Sequence, residues 1–277
     1  MGPTELVPIR LGPFGKGCPA VSARRTGDQC TVVGARLVIM SRRVRLISGW
    51  VAIALGVALL LGVGVYKLSN SRRIQVVGEL IQRVATTDKV VALTFDDGPT
   101  PGDTEAVLQT LAERKVMATF FLCGASMHDH PAQTKEIVAA GHQVGNHSWS
   151  HRRMWFMTPT EVRRELDDTD EMIRDSGYQG RIDFRPPYGK KLLVLPWILR
   201  ERGTRTITWD VSPEDFSGVE QTPEQLRDIV LDTVRPGSII LLHPMNGRTR
   251  TQEATALIID SLTQEGYRFV TVAELTN

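Results

Sequence analysis

From Lys89 onward the chain alternates two patterns. Short apolar, β-branched runs are followed by longer stretches in which apolar residues recur every three or four positions. The runs are 89–95, 118–123 (ATFFLC), 142–147 (HQVGNH), 182–185 (IDFR), 204–209 (TRTITW), 238–243 (SIILLH) and 268–272 (RFVTV). Helical patterns fall near 103–115, 131–140, 159–176, 190–202, 222–234 and 252–265. Pro131, Thr158-Pro159-Thr160-Glu161 and Thr222-Pro223-Glu224 read as helix starts, and Gly141, Gly177, Gly203 and Gly266 as helix ends. Such alternation predicts an α/β domain with right-handed crossovers and a mostly parallel sheet, either a small barrel or an open doubly wound sheet. In both, chemistry gathers at the carboxyl ends of the strands. Asp96, Asp97, His147, Arg185, Trp209, Asp210 and His243 all sit at or just past a predicted strand end, so they are expected to share one mouth.

Before this region the pattern changes. Residues 46–66 (LISGWVAIALGVALLLGVGVY) contain no charged residue. As a helix they span roughly 31 Å at about 1.5 Å per residue, matching a bilayer core of about 30 Å. Arg42, Arg43 and Arg45 precede them, Lys67, Arg72 and Arg73 follow, and Trp50 and Tyr66 stand near the ends. The stretch reads as an uncleaved, single-pass anchor; a cleaved signal peptide is the alternative, against which stand the length of the apolar run and the lack of an A-x-A site. Residues 67–87 read as a juxtamembrane linker and 88–277 as the folded α/β domain. Residues 1–39 lack periodicity and read as a disordered extension, or as untranslated sequence if the chain starts at Met40, where a short basic region runs into the apolar segment (MSRRVRLISGW).

Composition narrows the classes. In 277 residues, 33 basic and 31 acidic side chains give a formal net charge of +2, and no basic cluster or motif points to nucleic acid. Cys18, Cys30 and Cys123 show no CxxC spacing, so neither a thiolate metal site nor a disulfide is called for.

The candidate chemistry lies in VALTFDDGPT (91–100) and NHSWSH (146–151). Two adjacent carboxylates at the end of a buried strand repel each other and resist ionisation, unless a cation offsets the cost. His147 and His151 are four apart, a spacing that on a helical turn puts both imidazoles on one face. Two histidines and one carboxylate form an open catalytic zinc set, though non-haem iron uses the same ligands. If Asp97 binds the metal, Asp96 remains beside it to take a proton from the metal's water, which favours hydrolysis over oxygen activation.

In order along the chain, TFDDGP, HSWSH, RPPYG (185–189), WDVSPEDF (209–216) and IILLH (239–243) resemble the five motifs of the NodB-like polysaccharide deacetylases, carbohydrate esterase family 4. The resemblance covers roughly residues 88–277. It implies a distorted (β/α) barrel of about seven parallel strands. It implies Asp96 as general base; Asp97, His147 and His151 as ligands of a divalent metal, zinc first, with cobalt or manganese as substitutes; and Arg185 as the residue that orients the base. It further implies His243 as general acid kept charged by Asp215, the Tyr188 backbone N–H at the oxyanion, Leu241 lining the acyl slot, and Pro187 and Trp209 as further substrate-binding residues. The implied reaction is N-deacetylation of an envelope glycan, peptidoglycan or chitin-like, by a membrane-bound monomer whose domain lies outside the cytoplasm. An O-acetyl (xylan-type) esterase and a catalytically silent glycan-binding domain are the alternatives. Three departures from the family pattern concern the substrate more than the metal: Phe216 stands where tryptophan is usual, Pro244 follows the last histidine, and Lys190-Lys191-Leu192 follow RPPYG. His128, His130 and His142 read as structural or solvated, Cys123 as core, and Trp149 and Trp155 as either sugar platforms or packing.

Overall fold

The computed structural model describes residues 42–215 and 220–277; the expectations for residues 1–39, Cys18, Cys30 and Phe216 fall outside them. In chain order the elements are α1 (Arg42–Ser69), β1 (Leu80–Ile81), β2 (Val90–Asp96), α2 (Asp103–Arg114), β3 (Thr119–Leu122), α3 (Gly124–Asp129), α4 (Pro131–Ala139) and β4 (Gln143–Asn146). They continue with α5 (Pro159–Asp175), α6 (Val194–Arg202), β5 (Thr206–Ile207), α7 (Pro223–Thr233), β6 (Ile239–Leu242), α8 (Thr249–Gln264), β7 (Arg268–Val270) and α9 (Val272–Leu275). Single 3-10 turns occupy Pro187–Gly189 and Pro213–Asp215.

β2 is the central stave, and its period of two sorts the interior. Val91, Leu93 and Phe95 pack with Val107 and Leu111 of α2 and Ile258 and Leu262 of α8. Ala92 faces the other way, into a cluster with Phe121, Ile207, Trp209, Ile239 and Leu241. Thr94 and Asp96 share that inner face by alternation. Asp96 therefore ends the strand inside the barrel.

All strand pairs are parallel, as alternation requires: β4-β3-β2-β6 in order, β7 beside the start of β2, and β1 beside β5. Single-residue bridges complete the circuit. Phe184 joins Asn146 of β4 to Thr206 of β5, and Val211 joins Ile240 of β6. The sheet thus closes on itself as an irregular parallel barrel, as expected. The run 182–185 contributes only Phe184 as a stave, because Pro186 and Pro187 follow and cannot donate ladder hydrogen bonds. Beneath it Asp183 and Arg205 form a buried bidentate pair, both bonds 2.7 Å.

The capped helix starts form as read: Thr158 with Glu161, and Thr222 with Gln225, close reciprocal capping boxes. Three short elements had no periodic signature: α3, α9 and β1. The last of these changes the domain boundary. The amide of Thr206 donates to Glu79 O (2.9 Å), that of Thr208 to Ile81 O (2.8 Å) and that of Val84 to Gly237 O (3.0 Å). The segment read as a linker, 67–87, therefore includes part of the barrel. Among the described residues one helix, over Gly49–Ser69, is long and apolar enough to cross a membrane, and its most apolar 18-residue window has no residue buried in protein.

Candidate active site

The turn after β2 brings Asp97 beside Asp96 by placing Asp97 in the left-handed region, at φ 68°. The turn after β4 does the same for the histidines. Residues 147–151 form no helical turn, so the helical expectation for the His147/His151 spacing is wrong. Instead Ser148 (φ 68°) and His151 (φ 53°) curl the loop. Asn146 Oδ1 accepts from Ser148 N (2.8 Å), Ser148 Oγ from His151 N (3.1 Å), and the Glu165 carboxylate from Ser150 N and Oγ. The two imidazole centroids end 4.9 Å apart. With Tyr188 (φ 58°), four non-glycine residues of this one mouth hold a conformation that costs on the order of 1–3 kcal/mol each.

One nitrogen from each histidine and one oxygen of Asp97 lie within 4.8 Å of one another. His151 Nε2 is 3.4 Å and His147 Nε2 3.9 Å from Asp97 Oδ1. His147 Nδ1–H donates to Arg185 O (2.8 Å), which leaves the Nε2 lone pair for a ligand. Burial, and then His147, pull the His151 pKa down, favouring the neutral form a cation needs. Two imidazoles and a carboxylate converging with their lone pairs free fit a divalent cation.

Asp96 is buried and gripped. Arg185 Nη1 donates to Asp96 Oδ1 (2.6 Å) and to Thr94 Oγ1 (2.8 Å), while Nη2 reaches Thr208 O (3.3 Å). Burial pushes the Asp96 pKa up, but Arg185, His147 and His243 outweigh it and hold the carboxyl below its ordinary value. Asp96 Oδ2, facing His147 Nε2 at 3.5 Å, remains to take a proton. Arg185 itself is flanked by the Phe121 ring at 4.1 Å and the Trp209 ring at 5.5 Å.

The partner of His243 is not the expected one. Glu214, not Asp215, meets His243 Nδ1, and Glu214 also accepts from Thr251 Oγ1 at 2.8 Å. Pro213–Asp215 is a 3-10 turn, in which successive side chains point about 120° apart. Glu214 points in, and Asp215 points out to Arg72 Nη2 at 2.7 Å. Burial lowers the His243 pKa, but Glu214, Asp96 and Asp97 outweigh it, so the imidazole holds its proton above the ordinary value. Asp210 also departs from the shared mouth. Its carboxylate accepts from Ser238 Oγ and Ile239 N, both 2.9 Å, and closes the start of β6.

Leu241 and Trp209 are buried in the inner cluster, and Pro187 is buried in the turn above. A Cβ on Gly189 would come 3.1 Å from the Trp209 ring, so that turn lies directly on the indole. Tyr188 is exposed, its ring 4.7 Å from His151 on one side and under the Arg153 guanidinium at 4.8 Å on the other. Trp149 packs on Gly124, where a Cβ would come within 2.4 Å of it; this is packing, not an open platform. Trp155 lies outside the metal set, between Tyr66 and Phe156. His142 is buried and His128 exposed, both outside the site. Glu214, Thr94, Thr208 and Arg72 went unread; the Glu214-Asp215 doublet signalled a carboxylate but not its phase.

The chain is similar to known proteins in sequence and in fold. The family model described as polysaccharide deacetylase matches residues 83–207. A peptidoglycan-N-acetylglucosamine deacetylase of Bacillus cereus is 31% identical over 206 residues, covering 74% of this chain and 96% of that protein. This chain belongs to the polysaccharide deacetylase family. The peptidoglycan-N-acetylmuramic acid deacetylase PdaC of Bacillus subtilis is 35% identical over 195 residues, 70% of this chain but 40% of PdaC. The deacetylase region thus spans about two-fifths of some curated relatives. Among solved structures, the Bc1960 peptidoglycan N-acetylglucosamine deacetylase in complex with 4-naphthalen-1-yl-N-oxidanyl-benzamide superposes with TM-score 0.66 at 32% identity, covering 70% of this chain and 91% of that one. A CE4 family pseudoenzyme from Bacillus anthracis superposes at 0.63 with 30% identity, covering 71% and 68%.

Proposed function

We propose that this polysaccharide deacetylase hydrolyses the N-acetyl amide of an envelope glycan, releasing acetate and a free amino sugar. The observation that carries the reading is the placement of Asp96 Oδ2 beside the Asp97–His147–His151 donor set, with the hydrogen-bonded His243–Glu214 pair at the same mouth. Asp97, His147 and His151 would hold the divalent cation, for which zinc is the best match to the nitrogen-rich donors. Such a cation, when bound, lowers the pKa of water and polarises a carbonyl oxygen.

The chain's own residues supply the proton movements. Asp96, held ionised by Arg185, takes the proton of the attacking water at Oδ2. His243 gives its proton to the departing amine nitrogen, and Glu214 keeps that proton available at neutral pH. The left-handed turn at Tyr188 presents its backbone N–H to the developing oxyanion. Leu241 and Trp209 offer an apolar wall for the acetyl methyl. Peptidoglycan is the favoured glycan, because relatives named for its N-acetylglucosamine and N-acetylmuramic acid recur. The apolar stretch Gly49–Ser69 would anchor the enzyme as a single pass with the domain on the glycan's side of the membrane.

Acetate release by the full chain from N-acetylated peptidoglycan, chitin oligomers and O-acetylated xylan tests the reading. Release from the first, lost with chelator and in Asp96→Asn and His147→Ala, supports it. Release surviving both substitutions overturns the mechanism; release only from xylan moves the substrate to an ester. A silent domain would give none. Against it stands the presence of base, ligands and acid together.

A further inference from the structure

Among the described residues beyond α1, the large apolar side chains left exposed are few and gathered. They are Ile74, Val76, Phe156 (84% exposed), Tyr188, Leu193 and Trp197. Their segments meet around the C-terminal end of α1. Tyr66 packs edge-on against Trp155 at 6.0 Å, and Trp155 against Phe156 at 6.1 Å. The Lys190 ammonium lies over Trp155 at 4.5 Å and Tyr66 at 5.4 Å. The Lys191 amide donates to Ser69 O (3.0 Å) and its buried ammonium to Ser71 O. A Cβ on Gly78 would meet Pro196 O and Arg200 Cβ at 3.4 Å, so the strand of chain carrying Ile74 and Val76 runs along α6, which carries Trp197. The result is an apolar collar at the foot of the apolar helix.

The collar is also basic. Lys67, Arg73, Arg152 and Arg153 are exposed on it. Glu161 caps α5 and faces Arg152, Glu201 binds Arg163 and the Trp197 indole, and Asp215 binds Arg72. Aromatic and aliphatic side chains ringed by exposed cations are what the headgroup layer of an anionic bilayer accepts.

We propose that this collar docks on the lipid interface, its apolar side chains at headgroup depth and its cations on anionic phosphates. The proposal rests on the reading of Gly49–Ser69 as an anchor, with which the collar is continuous. Tyr188 belongs both to the collar and to the mouth, where it stands over His151. Docking therefore holds the mouth against the bilayer surface, and the glycan taken is one kept close to the membrane.

The test uses the full chain in vesicles of phosphatidylcholine and phosphatidylglycerol carrying headgroup nitroxides, with Cys18 and Cys30 changed to serine. An environment-sensitive fluorophore is attached at Phe156→Cys or Leu193→Cys. The reference is Gln264→Cys, at the end of α8 remote from the Thr251–Glu214 contact. Labels at 156 and 193 should be quenched about threefold or more strongly than the label at 264. Equal quenching at all three, with the chain retained through alkaline carbonate washing, overturns the collar and leaves the anchor standing. Release of the chain on washing overturns the anchor, and the collar with it.

Discussion

The Glu214 carboxylate grips His243 at Nδ1, while its neighbour Asp215 turns away to Arg72. The proposed acid of the site is thus held by the first of two adjacent carboxylates. Because the His243 pKa is raised, the imidazolium persists to higher pH than that of an ordinary histidine and is lost as pH climbs further. Glu214→Gln should move the alkaline limb of the rate–pH profile to lower pH and cut turnover on that limb on the order of tenfold. Asp215→Asn should leave that limb in place. Steady-state rates between pH 5 and 10 compare the two; a shift confined to Asp215→Asn would return the role to Asp215.

Removing Arg185 leaves the buried Asp96 carboxylate without its partner. Arg185→Met should cost about 3–5 kcal/mol of stability, as breaking one half of a buried pair does. Urea unfolding at pH 7 reads this; a loss below about 1 kcal/mol would mean that the carboxylate finds water.

The cation should register in stability as well as in rate. At a zinc concentration near one hundred times its dissociation constant, the native state gains about 2.7 kcal/mol. Thermal unfolding with zinc and with chelator should differ accordingly in the wild type. The difference should vanish in His147→Ala, and a persistent difference would place the cation elsewhere.

His142 gives the fold an acid-sensitive point away from the site. Burial lowers its pKa to about 4, and its Nδ1 accepts from Ala118 N at 3.3 Å, which only the neutral ring allows. The unfolded chain, with an ordinary histidine value, binds the proton first. Stability is therefore full above about pH 6.5 and falls as pH drops toward 4, by up to about 3 kcal/mol. His142→Gln should flatten this stretch of the stability–pH curve.

Gly237 tests the enlarged domain boundary. It adopts φ +82°, and a Cβ there would sit 1.9 Å from the backbone oxygen of Val84. Backbone cannot yield as a side chain can, so Gly237→Ala should cost at least about 2 kcal/mol. A neutral result would show that residues 79–84 are not part of the folded barrel.

Much of this was legible because β2 and β6 are apolar and flanked by turn residues. The ends of those strands carry Asp96 and His243, so the mouth could be placed from pattern alone. What escaped depends on phase and on contacts distant in sequence. A 3-10 turn decides between Glu214 and Asp215 by a rotation no composition reveals. The His147/His151 pair looked helical because their spacing is four, yet the approach comes from two left-handed residues. Leu80–Ile81, two residues long, had no periodicity to show and was recognised only by its pairing with Thr206–Ile207.

The barrel closes between β4 and β5 on the backbone of Phe184, whose amide and carbonyl bond Arg205 O and Ile207 N. The next residue is Arg185, whose guanidinium holds Asp96. A single-residue seam of the wall and the grip on the proposed base are therefore neighbours on one stretch of chain. Breathing that parts this seam should also loosen Asp96, so slow opening detected by amide exchange at Phe184 and Ile207 would report on how often Asp96 stands without that grip.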